Sequence, residues 1–556
     1  MNSDSLVICL EFSQSPLLGM KRECPNRKFR LAVTARNSNS INKVMPYLFS
    51  FAAKGLQSYV LEGDQLKTMT GATELIDRLC RAEFLEKLLD AAKIEQKEVL
   101  QGAAGSARIW IEQKEDAQRL SRVWPVFCNR WAPGLNVVQS LQEIGSEGMT
   151  AAIKAAEDEM RISRNFIPPA LPLATPVMER CRRTGRAAVE LDDEKIPRDA
   201  ALARKAMMRD EIKGTVTPLL KCFGFKSMLQ VPSSFEAISG SERAYLAVIH
   251  ADGNGLGQMF MKLAEITSDL PDQKTAQECF GYISKEVIEE GTKAAVEKAS
   301  MALDLDPVDR IRPLQPIVLA GDDLTLVCRA DLAWDFTTAF IRAFEQEIGN
   351  RLNAAKCNSD FPKEMRDILP SGLTAGAGIA YVSGHYPFSL GYALAEALAH
   401  RAKSKAKRRK PGTPPSSIMF HRVSGAYAPT DYESLAATHL QGDGVVLGAG
   451  PYYLDPTQSP NTDSLEILRD AINVLPTGSV REVLNLLATE SSSVAPAMAR
   501  MLSVAAAPEI FKDSVMKIGL DEKLCGEFHD EPSTPLPDAW TLKLMKPDKQ
   551  KAAATA

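Results

Sequence analysis

The stretch Ile317–Cys328 reads I-V-L-A-G-D-D-L-T-L-V-C, and the prediction of the fold starts from it. Two apolar runs of strand length flank Ala-Gly-Asp-Asp, and a Gly between strands can adopt the positive φ that a tight hairpin turn needs. The pattern therefore predicts a β-hairpin with Asp322 and Asp323 at its tip. Adjacent carboxylates repel one another unless solvent or a cation relieves the charge. The tip is thus either a solvated turn or part of a metal site.

A second motif lies upstream of this hairpin. Residues 244–250 (A-Y-L-A-V-I-H) form another buried-strand pattern, which leads into Asp252, a Gly-rich turn and a helical pattern at 258–266. An acid at a strand end can bind a divalent cation, and free N–H groups of the turn can bind phosphate oxygens. Asp252 with Asp322 and Asp323 forms the carboxylate set of a palm-type nucleotidyl transferase, which uses two Mg²⁺ ions. We expect these three acids to be catalytic and to bind Mg²⁺ or Mn²⁺.

Four segments in order resemble the palm domain of the large subunit of type III CRISPR effector complexes. This palm is related to the GGDEF diguanylate cyclases and the class III adenylyl cyclases. The segments are 252–257 (D-G-N-G-L-G), 320–323 (A-G-D-D), 373–380 (L-T-A-G-A-G-I-A), and 395–398 (A-E-A-L) with Ala402 and Lys403. The family usually has Gly-Gly-Asp-Asp at the hairpin, and Ala320 in place of the first Gly leaves the metal ligands intact. The match spans residues 241–425.

The resemblance implies a nucleotidyl transferase that builds a cyclic oligonucleotide second messenger, typically from ATP, in antiviral defence. It also implies partners, namely other CRISPR effector subunits and the guide RNA and target RNA of the complex. By the same resemblance Lys403 contacts phosphate, although its basic run at 403–410 is equally typical of a solvated helix end. The candidate nucleotide-binding residues are Gly253, Asn254, Gly255, Gly257, Gly321 and Lys403.

Two alternatives stay open at this point. The chain could be a free-standing cyclic-oligonucleotide synthetase of the same superfamily, or a non-catalytic structural subunit of a CRISPR complex. Co-purification with small RNA would separate the first alternative from the main interpretation, and nucleotide turnover would separate the second.

The composition is that of an ordinary globular protein with several domains. The chain has 556 residues, of which 45% are hydrophobic and 24% charged, with a net charge of −4, so no global basic field indicates a nucleic-acid binder. The 10 cysteines contain no Cys-x-x-Cys pair, which suits reduced thiols in a cytoplasm. Because no apolar run approaches the roughly 20 residues of a membrane span, we expect a cytoplasmic protein that does not contact the membrane.

The strand and helix signals predict an α/β (α+β) fold with two ferredoxin-like, nucleotide cyclase-like palm domains. We expect a degenerate N-terminal palm-like domain (1–165), a connector (166–240), the catalytic palm (241–425) and a C-terminal helical domain (426–556). In the first domain we predict strands at 5–12 and 29–34 and one helix at 73–93. Residues 101–107 (Q-G-A-A-G-S-A) lack the acids of an active palm, so Glu62 and Asp64 should have no catalytic role.

Two further motifs of the family are expected to be missing. Many relatives carry a zinc ribbon in the connector, but tetrahedral zinc needs four ligands and only Cys181 and Cys222 are available, so we predict no zinc. Many also carry an HD nuclease. The dipeptide His529-Asp530 stands alone in a chain with six histidines, so we predict no HD nuclease domain.

Overall fold

A computed structural model gives the fold of the chain. It describes residues 45–103, 105–145, 148–166, 174–212, 214–240, 245–270, 273–303, 311–425 and 429–546. The strands predicted at 5–12 and 29–34 lie outside the described residues. Two sheets, of four and six strands, dominate the architecture, and they confirm the predicted α/β fold with two palms.

The first palm is an antiparallel sheet with the strand order β2-β3-β1-β4 of a ferredoxin-like fold. Its elements are β1 (Tyr47–Lys54), α1 (Leu56–Leu61), α2 (Leu66–Cys80), α3 (Ala82–Ala91), β2 (Lys97–Ala103), β3 (Ser106–Ile111), α4 (Lys114–Trp131), β4 (Asn136–Glu143) and α5 (Gly148–Ser163). Strand β1 is buried from Tyr47 to Ala52 because both of its faces are covered. Phe49 and Phe51 pack against Trp124 of α4, with ring centroids 5.7 and 4.5 Å apart, while Leu48 packs against Ala156 of α5.

The single helix predicted at 73–93 is wrong, because the chain forms two helices there. Arg81 between α2 and α3 has extended backbone angles (φ −69°, ψ 128°) that end the first helix. Leu79, Leu85 and Leu89 are all buried in the same core. The leucine spacing therefore continues across the break and does not reveal it.

The connector packs against both palms. It contains β5 (Glu190–Leu191), β6 (Pro197–Arg198), α6 (Ala200–Glu211), α7 (Pro218–Cys222) and α8 (Phe235–Ser239). The charged helix α6 packs on α2 at Gly71, where a Cβ would overlap the carbonyl of Lys205. Lys205 itself is fully buried, and its Nζ donates to Tyr59 O at 2.6 Å and lies 3.2 Å from Glu62 Oε2.

The second palm repeats the ferredoxin-like order and extends it. Its elements are β7 (Tyr245–Asn254), α9 (Leu256–Asp269), α10 (Gln273–Tyr282), a π-helical segment (Ile283–Glu289), α11 (Glu290–Ala302), β8 (Leu314–Ala320), β9 (Asp323–Arg329), α12 (Ala330–Cys357), α13 (Lys363–Ile368), β10 (Thr374–Ser383), α14 (Phe388–Arg409) and β11 (Ser417–Arg422). The strand order is β13-β11-β10-β7-β9-β8, in which β13 is Tyr452–Tyr453 of the C-terminal region and β11 runs parallel to β10.

The C-terminal region is mostly helical and is continuous with the second palm. It contains α15 (Tyr432–His439), β12 (Val446–Leu447), β13 (Tyr452–Tyr453), α16 (Thr462–Ala471), α17 (Thr477–Thr489), α18 (Val494–Ser503), α19 (Pro508–Ile518), β14 (Gly526–Phe528), β15 (Glu531–Thr534) and α20 (Leu536–Met545). Strand β13 is the sixth strand of the palm sheet, so this sheet extends past residue 425. One hydrophobic core runs from Leu220 to Met545.

The dipeptide His529-Asp530 forms the turn between β14 and β15, and His529 Nε2 lies 3.0 Å from the carbonyl oxygen of Pro451. In the part of the chain that the structure describes, no helix is long and apolar enough to cross a membrane.

Candidate active site

The pairing of three strands brings the candidate acids to one edge of the second sheet. Strand β7 lies between β9 and β10, so Asp252 stands opposite Gly376 of β10, and Ala251 stands opposite Leu324 of β9. The predicted hairpin connects β8 and β9, and Gly321 in its turn has a φ of 63°. The tip of this hairpin therefore lies beside the end of β7.

Asp252 and Asp322 lie next to each other. The backbone N–H of Gly253 donates to Asp322 Oδ2 at 3.1 Å. A Cβ at position 253 would lie 2.6 Å from the same oxygen, so the close approach of the hairpin requires a glycine there. Burial, followed by the charge of Asp252 and a hydrogen bond with it, raises the pKa of Asp322 to about 7. Two carboxylates in hydrogen-bond contact are not both ionised unless a cation lies beside them.

Asp323 faces a different set of partners. Its Oδ2 accepts a hydrogen bond from Gln57 Nε2 of the first palm at 3.3 Å, and His250 Nδ1 lies 3.4 Å from its Oδ1. Among the described residues this Oδ1 is buried without a hydrogen-bond partner. Burial, followed by the charge of Asp252, raises the pKa of Asp323 to about 7. Burial also lowers the pKa of His250 to about 4, so its imidazole is neutral at neutral pH.

Lys403 reaches this cluster from α14. Its Nζ donates to Asp252 Oδ2 and, at 2.7 Å, to the carbonyl oxygen of Gly253. The side chain passes over Gly376 of β10, where a Cβ would overlap Cγ of Lys403. Gly376 belongs to the quoted family motif, but no sequence pattern connects it with Lys403. The ammonium of Lys403 offsets the negative charge of Asp252.

The donor set fits a divalent cation whose coordination the substrate completes. Among the residues with described positions, no group of three or more His, Cys, Asp or Glu side chains is arranged so that it could hold a metal ion. Mg²⁺, however, is usually held by one or two carboxylates together with substrate phosphates. Asp252 and Asp322 supply such a pair, and the unbonded, buried Oδ1 of Asp323 is a further oxygen ligand nearby.

The other residues predicted to bind nucleotide lie at or near the turn after β7. Gly255, with a φ of 81°, is the N-terminal cap of α9, and Gly257 lies in the first turn of that helix. The side chain of Asn254 is buried and donates to Thr374 Oγ1 at 3.0 Å, so it is engaged in the sheet. The nucleotide contacts of these residues remain predictions.

Three residues near Asp323 have no role in the sequence-based prediction. Gln57 contacts Asp323 across 266 positions, and no periodicity or motif connects two such distant residues. The ring of Tyr392 packs edge-on against His250, with centroids 5.6 Å apart. Glu396 lies close enough for its charge to raise the pKa of Asp323. Glu396 belongs to the quoted A-E-A-L segment and could have been proposed from the resemblance.

Comparisons with known proteins agree with this arrangement. Residues 245–410 match the family model of the Cas10/Cmr2 second palm domain. They therefore form a palm domain of the Cas10/Cmr2 type, and the predicted resemblance to the palm-containing large subunit of type III CRISPR complexes is confirmed. A search of curated proteins found no match to the chain.

Solved structures also match the chain, at low sequence identity. Csm1 from T. onnurineus has 14% identity and a TM-score of 0.44, over 90% of this chain and 69% of that chain. A Csm1-Csm4 cassette in complex with cA4 has 12% identity and a TM-score of 0.45, over 90% and 70%. A cassette in complex with cA3 has 14% identity and a TM-score of 0.47, over 91% and 70%.

Proposed function

We propose that the second palm is a nucleotidyl transferase that joins nucleoside triphosphates, ATP in particular, into a cyclic oligonucleotide. The observation that supports this proposal is the meeting of Asp252, Asp322 and Asp323 at one sheet edge, beside the Gly-rich turn and Lys403. The match of residues 245–410 to a Cas10/Cmr2 palm supports the same reaction class. In this reaction a ribose 3′ oxygen bonds to an α-phosphorus, the bond to pyrophosphate breaks, and the hydroxyl proton is released.

Asp252 and Asp322, with Oδ1 of Asp323, would hold Mg²⁺ or Mn²⁺. A cation there lowers the pKa of the attacking hydroxyl and offsets the charge that develops on the phosphates. Zinc has no role in the proposal.

The residues of the chain supply binding and orientation. The turn at 253–257 and the N-terminus of α9 place N–H groups and a positive helix dipole beside the acids, which suits phosphate oxygens. The ammonium of Lys403, which lies on Asp252 and on the carbonyl of Gly253, faces the same turn. A triphosphate in the turn would therefore contact backbone N–H groups and the ammonium of Lys403 together. This arrangement would orient the α-phosphate toward the acids.

The decisive experiment is a product assay with each labelled triphosphate and Mg²⁺ or Mn²⁺. We expect oligonucleotide product from ATP with the wild-type chain. Loss of one preorganised electrostatic group costs on the order of 10²–10³ in rate, so Asp252→Ala, and Asp322→Ala combined with Asp323→Ala, should abolish the product. Asp367→Ala, which removes an exposed acid of α13, serves as the control and should retain wild-type turnover. Full activity in the Asp322/Asp323 double variant would disprove the assignment of the site.

We further propose that the chain works in the cytoplasm as the large subunit of an RNA-guided type III CRISPR complex, with other effector subunits, guide RNA and target RNA as partners. The Cas10/Cmr2 palm supports this assignment. Purification of the chain from its native cells should recover small RNA. Nucleotide turnover without any bound RNA or second subunit would instead favour a free-standing synthetase.

A further inference from the structure

The first palm, which we expected to be degenerate, contacts the candidate site directly. Gln57 lies on α1, and its side-chain amide donates to Asp323 Oδ2 at 3.3 Å. Further hydrogen bonds join the two palms. Thr73 Oγ1 donates to the carbonyl oxygen of Ile317 in β8 at 2.7 Å, and the backbone N–H of Ser389 donates to Asp64 Oδ1 at 2.9 Å. The contact between Gln57 and Asp323 therefore belongs to a built interface.

Helix α1 is itself held firmly in place. Tyr59, Val60 and Leu61 are buried, and the fully buried Lys205 donates its Nζ to the carbonyl oxygen of Tyr59. Gln57 is half-buried on the opposite side of this anchored turn, where it faces the second palm. Because the helix cannot easily move, the amide of Gln57 is a fixed donor at the position of Asp323.

We propose that Gln57 is a positioning residue of the second palm, supplied by the first palm, which orients the carboxylate of Asp323 for cation binding. The geometry supports this assignment because the two oxygens of Asp323 are unlike. Oδ2 is held by the Gln57 amide, whereas Oδ1, which lies 3.4 Å from His250 Nδ1, has no hydrogen-bond partner among the described residues. The proposal rests on the proposed function of the site, and it gives the degenerate palm a direct role in that site.

The test is the affinity of the full chain for Mn²⁺, measured by electron paramagnetic resonance without nucleotide. Gln57→Leu removes the donor and keeps a side chain of comparable volume. Outer-shell partners of metal ligands change metal affinity or activity by about 10- to 100-fold, so the Kd for Mn²⁺ should rise at least about 10-fold.

Thr73→Val is the matched control. It removes a hydrogen bond from the same interface, with Ile317 as the partner, and leaves the acids untouched. We expect its Kd for Mn²⁺ to stay within about twofold of wild type, as expected for a contact that does not reach the ligands. If Gln57→Leu and Thr73→Val have the same small effect, the proposal is wrong.

A double-variant cycle separates positioning from general stability. In an Asp323→Ala background the amide has no carboxylate to orient, so Gln57→Leu should change the Kd for Mn²⁺ by less than about twofold. An undiminished effect in that background would overturn the proposal, as would a wild-type chain that binds no Mn²⁺. If the wild-type chain binds Mn²⁺ but forms no nucleotide product, the proposed function fails. A higher Kd for Mn²⁺ in Gln57→Leu would still support the positioning role in that case.

Discussion

At the scale of a single residue, Lys403 connects α14 to the acids of the candidate site. Its ammonium is bonded to Asp252 and to the carbonyl of Gly253, where a triphosphate would also place negative charge. The same basic run continues with Lys407, which is exposed. Both lysines lie on α14, but only Lys403 contacts an acid of the cluster in the described part of the chain.

We predict that Lys403→Ala raises the KM for nucleotide and lowers kcat by at least about 10-fold, because the loss of a preorganised cation costs most in the transition state. Lys407→Ala is the matched control and should change both constants by less than about twofold. Steady-state kinetics of the two variants give the answer. If both variants have equally small effects, Lys403 is only a solvated residue near the end of the helix.

The sequence predicts part of this site and misses part of it for a physical reason. Asp252, Asp322 and Asp323 could be proposed because each lies at or near the end of a strand in a recognisable local pattern. Gln57 and His250 could not, since their contacts with Asp323 arise from the packing of two domains and of neighbouring strands. Local patterns carry no information on such packing.

Helix α14 connects the two palms. Its C-terminal half carries Lys403, and its first turn is bonded through Ser389 to the carboxylate of Asp64 in the first palm. The sequence predicted that Asp64 has no catalytic role, and the structure shows a capping role instead. Asp64 has a φ of 52°, which Asn and Gly tolerate better than other residues.

We predict that Asp64→Gly lowers the free energy of unfolding by about 1 kcal/mol, the usual net contribution of an intramolecular hydrogen bond. Glycine is chosen because it relieves any backbone strain at this φ. Asp64→Asn is the control, and it should stay close to wild type because its side-chain oxygen can still accept from Ser389. Urea unfolding measures the difference. Equal stability of the Gly and Asn variants would show that the cap is not needed.

Long elements show where sequence patterns fail. The sequence pattern at 277–302 predicts one long helix, but the structure contains α10, a π-helical segment and α11. The apolar residues Ile283, Val287 and Ile288 stay buried through the segment, so the local change in helical winding leaves the pattern of apolar residues almost intact. The strand order of both sheets was more predictable, because the βαββαβ order of elements restricts it.

On the scale of the whole molecule, the second palm and the C-terminal region form one cooperative unit. Trp334 of α12 packs edge-on against Phe420 of β11 and Tyr452 of β13, with centroids 5.5 and 6.5 Å apart. Trp334 Nε1 also donates to Glu466 Oε1 of α16 at 2.8 Å. The catalytic palm that we expected to end at residue 425 therefore continues its core into the helices that follow.

We predict that a chain cut after residue 425 does not fold, because it would expose the apolar surface that the C-terminal helices cover. The cut chain should lack a cooperative thermal transition and the near-ultraviolet circular dichroism of packed aromatic rings. A chain cut after residue 546 is the control and should melt as the full chain does. A cooperative transition in the shorter chain would show that the two parts fold independently.

The shared core has a consequence for synthesis of the protein on the ribosome. Asp252 emerges early in the second palm, whereas Met545, which packs in the same core, is among the last described residues to be made. At translation rates of about 5–20 residues per second, the interval between them is roughly 15–60 s. The nascent chain therefore carries its acids for roughly 15–60 s before the core that fixes them is complete, and the candidate site cannot reach its final geometry before Met545 has been made.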